Sequence, residues 1–500
     1  MTISGVSGRT SYIGSGILDL RSQLDTLTQQ LATGKVSNTY AGQGSGRSLA
    51  IALRSQLSNL AGYADTAVNL NTRISVVNLS LQRLVDVGSS VKGAAVSAVS
   101  TIDNTGQTAG QKTASLGFLD SVDMLNAKSG DRYLFSGRAT DTPPVTSADV
   151  IMNGNGAQAG LKQLILERKQ ADVGTTGLGR VVLTAPTATS VQIAEDASPS
   201  EFGLKLNAIT STLGGATITQ PTGTPPAMSV DLGAVNPAAG ESVKFTFNLP
   251  DGTTEDITLT ASAATPLPAN SFAIGANSTA TAANLQAALN TSIGALANGP
   301  LVAASAITAG DNFFDRPPMR VGTTPLGAAT TLVAGTTANT VSWYQGETGP
   351  DPARGTAVAQ IDQSITVQYG ARADEPALRS QLQTVAVFAA VTTSVTDPNA
   401  NAQIAALNQR IAQNLAAVPG TQSIQDIQAD FAGAAASIKT TTDRQTQSKA
   451  ITQTMLDSIE GINDDEVATK ILALQTSLQA SYQTTAMLYQ MNLTKFLPVA

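Results

Sequence analysis

Cysteine and histidine are both missing from this chain of 500 residues. Thiolate nucleophiles, Cys or His metal ligands and His general bases are therefore excluded, and disulfides contribute nothing to the fold. Charge is scarce as well: Asp, Glu, Lys and Arg make up 13%, against about 25% in an average soluble domain. The net charge of -7 is spread along the chain with no basic run, which argues against nucleic acid or anionic membranes as partners. Aromatics are 4%, with Trp343 the single tryptophan, so close-packed helices and turn-rich strands are expected rather than a bulky aromatic core. Residues 1–16 lack the apolar stretch of a secretory signal. No run of about 18 apolar residues suggests a transmembrane helix, and no membrane insertion is expected.

What is present is unevenly distributed. The two ends read as amphipathic helices, and the middle, rich in Gly, Thr and Pro, reads as β-structure. Ile17, Leu20, Leu24, Leu27 and Leu31 follow one another at spacings of three and four, a heptad seam that stops at Thr33-Gly34-Lys35. A second seam starts at Leu53, Leu57 and Leu60 and continues through Ala64, Ala67, Asn71, Ile74, Asn78, Leu81 and Val85. Its two Asn either fix register from a buried position or face solvent on a straight helix. A shorter helix is expected over 113–127, followed by a strand at Arg132-Tyr133-Leu134-Phe135. The last seam runs Val467, Ile471, Leu474 and Leu478, then through Tyr482 to Leu488, with Asp464 as its expected N-cap.

Between the ends, Val181-Val182-Leu183, Val191-Gln192-Ile193, Val243 to Phe247 and Ile257-Thr258-Leu259 have the alternation of strands. Phe247-Asn248-Leu249-Pro250-Asp251-Gly252-Thr253 predicts a hairpin turn, and 281–297 a helix. A further hairpin is expected between Val341-Ser342-Trp343-Tyr344 and Ile365-Thr366-Val367. Stretches 219–226 and 316–327 are Pro- and Gly-rich and mark loops or sub-domain boundaries. Helix returns through Leu378, Leu382, Val385 and Phe388, then Ile404, Leu407, Ile411 and Leu415, until Pro419-Gly420.

No catalytic, cofactor-binding or metal-binding residue is nominated. Asp464-Asp465-Glu466 reads as negative charge at a helix N-terminus, and Glu255-Asp256 as a solvated strand edge. Gly14-Ser15-Gly16 and Gly42 to Arg47 are Gly-rich, but no strand precedes them and no Lys-Ser/Thr follows, so neither is a phosphate loop. Asn277-Ser278-Thr279 is a possible sugar acceptor only if exposed.

Narrow apolar seams of this kind are marginal alone and gain stability from packing. Pairing the first seam with the last gives a two-helix coiled coil. Ala473, Ser477, Ala480 and Thr484 are small enough to let sister copies approach. Heterologous contacts that do not close generate helical filaments.

The run Leu24-Asp25-Thr26-Leu27-Thr28-Gln29-Gln30-Leu31-Ala32-Thr33-Gly34-Lys35, with Tyr40-Ala41-Gly42 and Ala50-Ile51-Ala52-Leu53-Arg54, resembles the opening of the bacterial flagellin family. Tyr133-Leu134-Phe135-Ser136-Gly137 is similar to the strand that follows that family's N-terminal helices. Leu474 to Thr485 and Leu493-Thr494-Lys495-Phe496-Leu497 are similar to its C-terminal helix. The resemblance covers roughly 1–140 and 340–500. It implies a mainly α fold with a β-rich insert, in which the terminal helices pair into a long coiled-coil rod and a central α/β or mostly β domain projects outward. The implied parts are an inner N-terminal helix (1–35), a first rod half (36–144), a mainly β variable outer insert of one or two sub-domains (145–340), a second rod half (341–455) and an inner C-terminal helix (456–500).

The implied function is that of a structural subunit of the flagellar filament, or alternatively of the hook–filament junction. The implied partners are identical subunits, neighbouring axial proteins, the type III export apparatus and a chaperone for the C-terminal helix. The implied location is extracellular. The assembly interface then falls on the three seams. Two readings from other classes stand beside it: a secreted adhesin whose helical ends form a stalk, and a hydrolase with paired carboxylates in the central region.

Overall fold

The computed structural model describes residues 5–97, 101–322 and 325–490; the run Leu493 to Leu497 lies outside them. The fold is mixed α and β, about 53% helix and 17% strand. In chain order, helices α1 (Gly5–Thr33), α2 (Arg47–Val96) and α3 (Ala109–Leu125) precede a ribbon of β1 (Lys128–Ser129) and β2 (Arg132–Tyr133). Helices α4 (Ala148–Asn153) and α5 (Leu161–Val173) follow. Strands β3 (Val181–Thr184), β4 (Ser190–Glu195), β5 (Lys205–Ser211), β6 (Thr217–Thr222), β7 (Ala227–Asp231), β8 (Ser242–Asn248), β9 (Thr254–Ser262) and β10 (Ser271–Ala273) come next. After α6 (Ser278–Asn298) and α7 (Pro300–Phe314) come the short strands β11 (Met319–Val321), β12 (Leu332–Ala334), β13 (Val358–Asp362) and β14 (Ile365–Gln368). Helices α8 (Pro376–Ala390), α9 (Ala400–Asn414), α10 (Ile424–Glu460) and α11 (Asp464–Gln490) complete the described chain.

Contacts divide the chain into two compact units. One holds 1–70, 360–367 and 436–500, and the other holds 71–359 and 368–435. Parts of the expected rod halves 36–144 and 341–455 therefore fall in each unit.

In the larger unit two four-stranded sheets, ordered β3-β4-β7-β6 and β10-β9-β8-β5, share one core with α6. Strand β8 shows why the pattern was legible. Val243, Phe245 and Phe247 are buried while Lys244, Thr246 and Asn248 are half-buried, the period-two alternation of a strand with one face on the core. The β8–β9 turn has Gly252 at φ +79°, where glycine carries no Cβ penalty. Arg410 on α9 anchors that turn, donating to Asp251 at 2.6 Å and to the Thr253 hydroxyl at 2.9 Å.

The segment 145–340 carries helix as well as strand: α4 and α5 precede the run β3 to β10, and α6 and α7 follow it. Helix α7 escaped the sequence reading for a physical reason. Nearly every side chain from Leu301 to Phe314 is buried, and a helix apolar all round shows no 3.6-residue periodicity. One 18-residue window within Ser278–Phe314 has a mean hydropathy of 1.3, enough by length and composition to cross a membrane. This contrasts with the absence of any such stretch expected from the sequence. Of that window 72% is buried inside the protein, so its apolar character serves the core.

The hairpin expected between 341–344 and 365–367 does not form. Strand β14 pairs instead with β13. The apolar cluster at 341–344 is explained by tertiary packing: the fully buried Trp343 ring lies 5.2 Å from that of Phe314, and its Nε1 donates to the Phe314 carbonyl at 3.0 Å. The strand expected over 132–135 is only Arg132–Tyr133, and Phe135 is buried outside it. Helix α3 starts at Ala109, earlier than expected, because Thr108 and Gln111 form a reciprocal capping box.

The second seam is kept in part, with Ala67, Ile74 and Leu81 buried as expected, but the buried stripe takes in other positions as well. On α2 the buried stripe is Ala67, Leu70, Ile74, Val77, Leu81, Leu84, Val87, Val91 and Ala95. Asn71 is exposed and Asn78 only half-buried, so the Asn pair does not occupy the buried stripe. Within the larger unit α2, α3 and α8 approach closely at Gly117, where an added Cβ would stand 2.9 Å from Val87 and 3.9 Å from Val385.

Candidate assembly site on the terminal helices

In the smaller unit α1 packs against α11. Ile17, Leu20, Leu24 and Leu27 on the first helix are half-buried, as are Ile471 and Leu474 on the other. Val467 and Leu478 are buried. The seam drifts out of contact at its ends: Leu31 is exposed, and Tyr482 and Leu488 are 48% and 45% exposed. Ser481 and Thr485 take the half-buried positions in the last turns. A straight helix explains this, since 3.6 residues per turn slips against a 3.5-residue apolar repeat.

Across the 29 residues of α1 and the 27 of α11, Val467 and Leu478 are the buried side chains among those described. Other apolar side chains face solvent: Leu18 is 68% exposed and Leu472 65%, and Met487 is exposed too. A shallow groove of about 520 Å³ between the helices is lined by Thr26, Leu27, Ala473, Leu474 and Ser477, among others.

The start of the second seam is split. Leu53 is buried with Ala50 and Leu456, and Leu57 and Ile459 pack against them. Leu60 is half-buried and stands outside that cluster.

A polar junction joins these helices, and sequence reasoning missed it. Glu460, the last residue of α10, is buried; its carboxylate accepts from Arg54 at 2.6 Å and from Gln43 at 3.1 Å. Arg54 also donates to the Tyr40 hydroxyl at 3.0 Å. The hydrogen bond to Glu460, and secondarily that to Tyr40, hold the guanidinium above its ordinary pKa. The backbone continues the junction: Val36 N donates to Glu460 O, and Ile462 N donates to Gly34 O. The 406-residue separation between Arg54 and Glu460 left no local signal. The N-cap of α11 is also corrected. Asn463, not Asp464, caps it, its Oδ1 accepting from the backbone N–H groups of Asp465 and Glu466. Glu466 sits below its ordinary pKa through its hydrogen bond with Lys470.

The remaining sequence candidates resolve into structural roles. Asp256 accepts from Thr246 and pairs with Lys244 at 3.0 Å, and Glu255 lies 3.8 Å from Arg410. Gly14 to Gly16 lie inside α1, and Gly42 to Gly46 in a 3₁₀ turn before α2. Asn277 caps α6 through its side-chain oxygen. Among the described residues no three acidic side chains converge as a metal site needs. No protein-family model matches the chain, and no curated protein matches it.

Proposed function

We propose that this protein is a structural subunit of the bacterial flagellum that self-assembles through its terminal helices into the filament used for motility. One observation carries the reading: α1 and α11 pair, yet fully bury only Val467 and Leu478 among their described side chains and leave Leu18, Leu472, Tyr482 and Met487 to solvent. Large apolar side chains left exposed favour association, and a repeated non-closing contact builds a helical filament. The matching runs at 24–35 and 474–485 give the assembly its identity by resemblance. In this reading α1 and α11 form the inner coiled coil of the rod and the subunit reaches the outside through the type III export channel.

Purified monomer incubated with short filament seeds should elongate them under the electron microscope; absence of growth would count against the filament role. Immunogold labelling then separates the two flagellar positions. Label along the whole filament marks the filament subunit, and one band at its base marks the junction protein that the 480–485 and 493–497 runs also resemble.

A further inference from the structure

A cavity of about 320 Å³ in the larger unit has no part in the helix pairing described above. Arg73, Arg132 and Arg138 line it together with Tyr133 and Tyr369, and no Asp or Glu is among its lining residues. Ile74 and Val77, both buried on α2, supply apolar wall. In a chain where acids outnumber bases 36 to 29, three guanidiniums at one concavity without a carboxylate in the lining is a local reversal of charge.

The three arginines are not equivalent. Arg138 is neutralised by Glu347 and, at 2.9 Å, by Asp351. Arg73 and Arg132 make no ion pair among the described residues. Arg73 is instead positioned by a neutral partner, donating through Nη1 to the Tyr369 hydroxyl at 3.2 Å. A guanidinium has five N–H donors in a planar fork, so most of Arg73's donors stay available. Lys128, whose ammonium sits 4.3 Å from the Tyr133 ring centroid, adds a further cation beside the cavity.

We propose that this cavity binds a small organic oxyanion. Carboxylate or phosphate oxygens would be gripped by the forks of Arg73 and Arg132, and the body of the molecule would lie against Tyr133, Ile74 and Val77. Planar guanidiniums match such oxygens two at a time, with hydrogen bonds roughly twice as strong as neutral ones. The volume is at the small end of ligand sites, which begin near about 300 Å³, so a molecule of citrate size fits the requirement.

Citrate and inorganic phosphate, titrated separately into the full chain by calorimetry at a concentration where sedimentation shows monomer, test this. Saturable binding of at least one of them is expected, weakened about tenfold or more by Arg132→Gln and by Arg73→Gln, and unchanged by Arg21→Gln on α1. Arg132 is exposed and unpaired, so its variant should fold normally, with circular dichroism as the check. Absence of saturable heat for both anions overturns the proposal, and so does binding of equal strength in the Arg73→Gln/Arg132→Gln double variant.

Discussion

Arg54 on α2 and Glu460 at the end of α10 are joined at 2.6 Å although 406 residues separate them. Glu460 is nearly inaccessible, with its side chain 7% exposed, whereas that of Arg54 is 38% exposed. The partner in water can be rehydrated when the pair breaks, and the partner in the protein cannot. Glu460→Gln leaves behind only Arg54, the partner that water can reach, and should destabilise the chain by no more than about 1–2 kcal/mol, the range for a partly solvated charge-assisted bond. Urea midpoints measure it. Hydrogen exchange should accelerate first at Val36 and Ile462, whose amides close the adjoining backbone bridge. Unchanged exchange at both amides would remove the junction role assigned to Glu460.

Two glycines should respond in opposite directions. At Gly117 a new Cβ meets Val87 at 2.9 Å inside the α2–α3 contact, whereas at Gly93 nothing lies within 4 Å. Gly117→Ala is expected to cost about 1–3 kcal/mol through overpacking. Gly93→Ala should gain up to about 1 kcal/mol from helix propensity and a less entropic unfolded chain. Thermal melts of the two variants beside the parent decide it.

Trp343 is the only tryptophan and is fully buried against Phe314. Its fluorescence should be blue-shifted in the native chain and move to the red on unfolding, reporting the larger unit alone. Trp343→Phe loses the indole bond to the Phe314 carbonyl and leaves a cavity, at a cost of about 2–4 kcal/mol. Red-shifted emission from the untreated protein would show the indole to be in water.

Acid should weaken the sheet region. Asp231 is held below its ordinary pKa by the Thr189 hydroxyl and then the Gly233 amide. Asp256 is lowered by Thr246 and then Lys244, and Glu241 by the amides of Gly214 and Ala238. With lowered folded values, the unfolded chain binds more protons as acid is added. The stabilisation is thus complete above the unfolded carboxylate range, about pH 4, and is lost as pH falls through the folded values. Urea midpoints should drop between about pH 5 and pH 3, and less so in the Asp231→Asn/Glu241→Gln/Asp256→Asn variant. Equal drops in the two proteins would exclude these groups as the cause.

Leu18 and Leu472 separate assembly from folding. Both are mostly exposed on the paired terminal helices, so Leu18→Asp and Leu472→Asp should shift monomer stability by no more than about 0.5 kcal/mol. Growth on filament seeds should nonetheless fall at least tenfold, because the charge would have to be buried unpaired between copies. Undiminished growth would move the assembly contact elsewhere.

Much of the secondary structure could be read directly because its signals are local. The alternation around Phe245, the Asp-Gly turn at 251–252 and the three-four spacing of Leu20, Leu24 and Leu27 depend only on near neighbours in the chain. Of the assembly residues, the spacing located the terminal helices, but not which turns of them stay in contact, since Leu31, Tyr482 and Leu488 lie where a straight helix has rotated away. What needed the tertiary structure was every feature whose partner is distant. The stripe on α2 took its phase from the helices packed against it, so Leu70, Val77 and Leu84 are buried instead of Asn71 and Asn78. Helix α7 was hidden because burial on all sides erases periodicity. Trp343 found Phe314, Glu460 found Arg54, and Arg73 met Arg132 at one cavity only after the chain had folded back on itself. Spacing along a chain encodes which face a side chain takes, whereas the identity of what that face meets is set by packing between segments hundreds of residues apart.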